Sequence, residues 1–479
     1  MNIDNPEEKA KSRVRQLIWL YFWLLLTEGA LRKWIVPQLS NPLLVVRDPV
    51  ALAIYFYAIR ARVFPRNAYV ISLLVIGVLS LAVSVAVLYP YLPLKPILEI
   101  TLYGFRSNFF HLPLIFVMAN VMDEEEVKKI GWWILLLMIP MGLIMVAQFK
   151  ASPDAFINRT VGLGEAEQLT AGGGKIRPPG TFSFISGPVF YVSVAAAFLI
   201  YGALARAAYK TWLLVASGAA LVIAVAVSGS RSCVAATLLV VLSILVILLV
   251  RPSAVNKFGR TVLIVVLAAL VITRLPVFKE GAGILSDRFT ESAEAADTTV
   301  VKGMLDRTIS GFTEGFEYFN KFPLTGYGLG IGTAAGARFL TGQATFLLAE
   351  NEWTRVLAES GPILGLAFLL WRTALTFRLL RLSLVVLKQG AILPILLFSC
   401  SFVPLLNGQL GQPTSLGFAV FLSGLCLAVI QRKGPSIVDG LPAAIKDSAP
   451  KPRPRRSEYA SRLHGPGVGA EQTNGFADR

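Results

Sequence analysis

Apolar runs of about 18–22 residues recur along this chain, each long enough to cross a ~30 Å hydrocarbon core as a helix. Composition agrees: apolar residues make up 55% of the 479 and charged residues only 15%, with a mean hydropathy of +0.64. A soluble globular chain carries nearer about a quarter charged residues. The fold class expected is therefore an all-α polytopic integral membrane protein.

Apolar runs and their breakers give twelve expected spans: 17–37, 45–60, 68–90, 97–121, 130–149, 183–205, 211–228, 232–250, 261–275, 351–382, 391–407 and 412–430. The fourth is interrupted by Pro93, Pro96, Glu99, Arg106, His111 and Pro113 and reads as partly interfacial. The first is flanked by Lys9, Lys11, Arg13 and Arg15, lacks a small-residue cleavage site and continues into Glu28 and Arg32-Lys33. It reads as a spanning helix, not a cleaved leader.

Every second connection is basic: Arg60, Arg62 and Arg66; Lys128-Lys129; Arg206 and Lys210; Arg251, Lys257 and Arg260; Arg378, Arg381 and Lys388; Arg432-Lys433. Positive-inside logic puts these connections and both termini in the cytoplasm. The domain order follows: a cytoplasmic N-terminus (1–16), nine spans within 17–275, an extracytoplasmic loop 276–350, three spans within 351–431, and a basic tail 432–479. A second extracytoplasmic connection covers 150–182. The tail is rich in Pro, Gly, Ala and Arg and poor in apolar residues, so disorder is expected there. Its Lys451–Arg456 run is a solvated stretch or a contact for anionic lipid.

The net charge of +16 does not imply nucleic acid, because it sits largely in short loops and the tail, where membrane topology requires it. Cys233, Cys400 and Cys426 all lie in apolar segments and suggest neither disulfides nor a metal site. No cofactor and no metal are expected.

Cations on the outer side run against the positive-inside rule: Lys175, Arg177, Arg231, Arg288, Arg307, Arg338 and Arg355. An anionic substrate explains them, since the guanidinium donates bidentate hydrogen bonds to phosphate and keeps its charge when desolvated. The bland alternative is that long loops tolerate either sign, with neighbours such as Asp287 beside Arg288 balancing them. Arg231 is sharper. It sits in Ser228-Gly229-Ser230-Arg231-Ser232, a tight turn between two strongly apolar helices, where an ionisable residue is a functional candidate by default. Asp306-Arg307 precede an amphipathic stretch, Ile309 to Phe319, with Phe312, Phe316 and Phe319 at helical spacing, more often packing than a substrate platform.

Pro323-Leu-Thr-Gly326-Tyr-Gly328-Leu-Gly330-Ile-Gly332 is neither a Walker loop nor a dinucleotide fingerprint. It reads as backbone that lets a bulky substrate approach, which makes Gly326 and Gly328 substrate-binding candidates. Glu350-Asn351-Glu352 open the next helix. Acidic residues there stabilise the helix dipole; the sharper reading makes Glu350 a general base.

At these residues the chain resembles the O-antigen ligase and Wzy-type polysaccharide polymerase superfamily, over roughly 120–430. The blocks that carry the resemblance are Arg177-Pro-Pro-Gly180-Thr-Phe, Ser228-Gly-Ser-Arg231, Asp306-Arg307, Pro323 to Gly330, and Asn351 through Glu359-Ser-Gly361. Glu28-Gly-Ala-Leu-Arg32-Lys33-Trp34 and Arg47-Asp48-Pro49 form a further block. The resemblance implies a bacterial inner-membrane glycosyltransferase and an undecaprenyl-diphosphate-linked oligosaccharide as donor. Membrane lipids and other polysaccharide-assembly proteins are the partners it implies. The family's pair of diphosphate-holding arginines falls on Arg231 and Arg307, with Arg177, Arg288, Arg355 and Asn351 as further binding candidates. Ligases of the group have His where this chain has Glu350, and their glycines are three apart where Gly361 and Gly365 are four apart. Those departures favour a divergent polymerase over a ligase. A transporter of a lipid-linked or anionic solute is the third reading, and it calls for broken helices and polar residues near the bilayer midplane.

Overall fold

The computed structural model describes residues 6–161, 168–205, 208–251, 270, 273–295, 299–343 and 345–433. Fifteen helices carry the architecture. They are α1 (Pro6–Ala30), α2 (Arg47–Arg60), α3 (Ala68–Leu88), α4 (Leu94–Phe105), α5 (Leu114–Val121), α6 (Glu124–Lys150), α7 (Ser186–Leu204), α8 (Thr211–Val227), α9 (Arg231–Val250), α10 (Pro276–Ala295), α11 (Val300–Glu317), α12 (Ala334–Thr341), α13 (Glu352–Lys388), α14 (Leu393–Asn407) and α15 (Pro413–Lys433). The one sheet among the described residues is a small hairpin of β1 (Thr170–Gly172) and β2 (Lys175–Ile176).

The bundle is apolar on much of its surface as well as in its core. On α3 the residues that face inward include Gly77, Ser80 and Ser84, while Ile71, Val75 and Val78 are more than half exposed. α9 likewise exposes Leu238, Leu242, Leu245 and Leu249. Small inward residues let helix backbones approach, and large apolar residues outward suit a lipid solvent. At the centre lie α7 and α15, whose apolar windows are 83% and 89% buried. Among the described residues, seven helical stretches are long and apolar enough to cross a membrane: Pro37–Arg60, α3, α6, α7, α9, α13 and α15, with α8 and α14 apolar but shorter.

Helices occupy the expected spans, except 261–275, which lies almost wholly outside the described residues. α1 falls outside the seven because Arg13, Arg15 and Glu28 leave it no long uncharged window. The fourth span is divided into α4, a π-helical turn at Arg106–Phe110, and α5. Pro113 has no amide hydrogen to continue the ladder there. The stretch 276–350, expected as an extracytoplasmic connection with an amphipathic helix about Ile309 to Phe319, contains α10, α11 and α12. α11 begins well before Ile309, and its Phe312 and Phe316 rings pack on Trp353 at 5.0 and 6.1 Å.

α13 is broken at Gly361, whose φ of 74° is left-handed, just before Pro362. Proline removes the donor that the Ala358 carbonyl requires, and the flip at Gly361 displaces the next one. The glycine run repairs both: Tyr327 N donates to Ala358 O at 2.8 Å and Gly328 N to Glu359 O at 3.0 Å. Leu329 N and Gly332 N then bond Ser84 Oγ (2.8 Å) and Glu359 Oε1 (2.9 Å). A Cβ on Gly326 would stand 2.3 Å from Glu359 O, and one on Gly330 2.3 Å from Ile100 O. The glycines therefore admit the protein's own backbone, which accounts for them without a substrate.

Candidate functional site: a basic cleft at one end of the bundle

Three distant parts of the chain meet at one end. The β1–β2 hairpin turns through Gly173 and Gly174, both with positive φ (58° and 71°), the backbone a two-residue hairpin requires. Thr170 on this hairpin offers its carbonyl to two of the arginines singled out by sequence: Arg177 Nε at 3.0 Å and Arg288 Nη1 at 2.8 Å. The turn that carries Arg231 lies against the same hairpin, since a Cβ at Gly229 would be 2.6 Å from the Ala171 Cβ and 3.6 Å from Arg177 Cγ. Ser230 caps α9 by accepting from Cys233 N, which makes Arg231 the first residue of that helix, half-buried. Lys175 pairs with Glu280 of α10 at 3.4 Å. Arg177, Arg231 and Arg288 are thus brought together, and Arg288 Nε is buried without a hydrogen-bond partner.

Beside them opens a small cleft lined by Lys33, Asn158, Arg159, Thr160, Gln168, Leu169, Ile176, Arg177, Pro179, Ser183, Phe184 and Ile185. Three cations line it and, among the described residues, no carboxylate. The wall is built on Gly180, whose φ of 61° turns the chain after Pro178-Pro179. Gly180 N donates to Gln148 Oε1, and Gly180 O accepts from Gln148 Nε2 and from Lys33 Nζ at 2.6 Å. Lys33 is 1% exposed. It also lies 4.5 Å over the Trp34 ring, and no acidic residue among those described forms an ion pair with it.

A second neighbourhood forms where α11 crosses the start of α13. Asn351 Nδ2 donates to Glu314 of α11, and Gln409 Nε2 donates to the Glu350 carbonyl at 2.9 Å. Glu350 itself is exposed. Arg307 lies on α11; its side chain is outside the described residues.

Arg355 points inward and is 4% exposed. Its Nε and Nη2 bond Glu352 (both 2.9 Å), its Nη1 Glu359 (2.6 Å), and its Nη2 also Asn108 Oδ1 (2.9 Å). Arg372 joins through Glu352 Oε1 at 2.9 Å and the carbonyls of Leu405 and Gly408. Two buried cations and two buried anions therefore compensate one another, and Arg355 is occupied by the protein instead of by a ligand. A second chain, buried except at the half-buried Asp48, runs Arg32–Glu28–Arg47–Tyr21–His111–Asp48–Arg106, with contacts of 2.5–3.4 Å.

Lys33, like Asn158 and Arg159, is a cleft residue that sequence reading left without a role. A signal for it exists. Arg32 has Glu28 one turn back, at the spacing of a helical ion pair. Lys33 has Gly29 at that spacing, and so ends an apolar run as a cation with no acid in helical reach.

No protein-family model matches the chain, and no curated protein matches it.

Proposed function

We propose that this protein is a membrane glycosyltransferase that polymerises oligosaccharide repeat units carried on undecaprenyl diphosphate, at the outer leaflet of a bacterial inner membrane, with both termini cytoplasmic. One observation carries the reading: Arg177, Arg288 and the Arg231 turn, far apart in sequence, converge on one hairpin beside a cleft whose described walls bear cations and no anion. Such a place favours a substrate that carries negative charge where the chain would otherwise repel itself.

In the proposed reaction an acceptor sugar hydroxyl attacks the anomeric carbon of the donor. The bond between that carbon and the phosphate oxygen breaks, and the lipid diphosphate leaves with the electron pair. Arg231 and Arg307 stabilise the charge gathering on the diphosphate, commonly the largest contribution to such catalysis. Glu350 takes the hydroxyl proton, an effect typically worth ~10²–10⁴-fold.

The break at Gly361 beside four buried charges is the feature that speaks for a transporter instead. The mutual pairing of Glu352, Glu359, Arg355 and Arg372 speaks against it, because no net charge is left there to hold an ion.

The test is to extract lipid-linked glycans from cells lacking the protein. Single repeat units should accumulate on the carrier. Accumulated long chains assign a ligase instead, and unchanged pools refute both enzymes. In the same assay Arg231→Ala and Glu350→Gln should each reproduce the single-unit pool. Full polymer from Glu350→Gln removes the general-base role.

A further inference from the structure

We propose that the Lys33 cleft is a binding site for an anionic saccharide, with Lys33 holding the acidic group and Asn158 accepting a hydroxyl of the sugar ring. The inference adds a substrate site to the proposed glycan chemistry and rests on that reading only for its biological setting.

Lys33 carries the first half. An ammonium has three donors, and burial without compensation is costly for a charge. Here one backbone carbonyl, Gly180 O, is the hydrogen-bond acceptor the described residues supply to a side chain 1% exposed. The neighbouring Arg32 and Arg47 share Glu28 as an ion-pair partner, which Lys33 lacks among the described residues. Lys33 thus differs from the buried cations around it in facing a cleft where an incoming anion completes its coordination. Arg159, exposed on the rim, and Arg177 add positive potential from the same walls.

Asn158 carries the second half. It is 3% exposed and lines the cleft. Its Nδ2 is spent on the carbonyls of Gln148 (3.0 Å) and Ser152 (2.8 Å), which fixes the amide. Its Oδ1 is buried with no partner. A buried acceptor left without a donor is costly, and a ligand hydroxyl removes that cost. Thr160, Gln168 and Ser183 supply further hydroxyl and amide groups, and Phe184, 40% exposed, offers an apolar face of the kind a sugar ring covers. Cations alone describe a phosphate site. Cations with an orphaned acceptor, hydroxyls and an exposed ring describe a sugar that bears the charge.

Purified full-length protein in detergent micelles would be titrated calorimetrically with N-acetylglucosamine 1-phosphate, glucuronic acid, N-acetylglucosamine and inorganic pyrophosphate. At least one of the two charged sugars should bind about tenfold or more tighter than the neutral sugar and than pyrophosphate, as expected of a charge-assisted contact added to a polar one. Which charged sugar wins distinguishes a phosphate source from a carboxylate source. Lys33→Met should bring the charged sugar down to the affinity of the neutral one, and Lys33→Arg should restore most of the difference. Asn158→Ala should weaken charged and neutral sugars alike. If Lys33→Met does not fold, Arg159→Gln, on the exposed rim, should still weaken the charged sugar selectively. Equal affinity for charged and neutral sugars, pyrophosphate binding as well as the sugars, or a folded Lys33→Met that binds as the parent does, each overturns the proposal. Glycan pools separate the two readings. Unchanged pools in cells lacking the protein, with Lys33-dependent sugar binding intact, sink the polymerase and leave the site standing. Single-unit accumulation with Lys33-independent binding does the reverse.

Discussion

Arg372 is completely buried, yet its charge is held on three sides by Glu352 and the carbonyls of Leu405 and Gly408. Buried pairs of this kind add little over apolar pairs, but removing Arg372 leaves Arg355 alone between Glu352 and Glu359, and an uncompensated buried charge costs about 3–5 kcal/mol. Arg372→Ala should therefore lower stability by about that amount, read as thermal or denaturant unfolding in detergent. Parent-like unfolding would show that Arg355, already bonded to Glu352, compensates the remaining carboxylates alone. Glu350 is the contrasting residue, exposed and two positions before Glu352. Glu350→Gln should move stability by no more than about 0.5 kcal/mol, as surface substitutions do. Any loss of glycan assembly in that variant is then chemical, whereas a loss in Arg372→Ala is structural.

Glycines separate in the same way at the level of elements. Gly330 has a φ of 92° and backbone on two sides, Ile100 O and Gly104. Gly283, inside α10, has open space around it. Gly330→Ala should destabilise the chain and accelerate hydrogen exchange at the Tyr327 and Gly328 amides. Gly283→Ala should be neutral or stabilise by up to about 1 kcal/mol, the helical preference of Ala over Gly. Unchanged exchange in Gly330→Ala would mean that the glycine segment is not held by its fit against α4. Most helices were legible because an apolar run of the right length has few alternatives in lipid. Within 276–350 the Phe spacing marks the helix around Ile309 to Phe319, whereas α10 and α12 are polar on much of their surface, and polarity alone does not separate a connection from a surface helix. Glu352, Arg355 and Glu359 lie on one helix face at spacings of three and four, so their pairing was within reach. The fourth member, Arg372, is 20 residues further along and meets Glu352 because the chain breaks at Gly361. The convergence of Arg177, Arg288 and the Arg231 turn depends on tertiary contacts that no local pattern encodes. Lys33 was visible as a cation but not as a cleft wall.

Across the whole molecule, the three cysteines are free and buried, at most 3% exposed. The parent protein should therefore stay unmodified by a membrane-impermeant maleimide in intact cells and in native vesicles. That makes it a clean background for topology. A cysteine placed at Gly173, at the hairpin tip, should label from outside the cell, and one at Ser448 should label only after the membrane is opened. Labelling of both from the same side would overturn the odd number of crossings expected between them, and with it the outer-leaflet setting of the cleft. The repair of α13 bears on how such a chain can be made. A spanning helix with two orphaned carbonyls is a poor guest for lipid, where unsatisfied backbone has no water to turn to. The donors that satisfy Ala358 and Glu359 belong to Tyr327 and Gly328, which leave the ribosome first. Synthesis in the N-to-C direction thus delivers the splint before the fracture, and the late helices can enter the membrane against a chain already waiting to complete them.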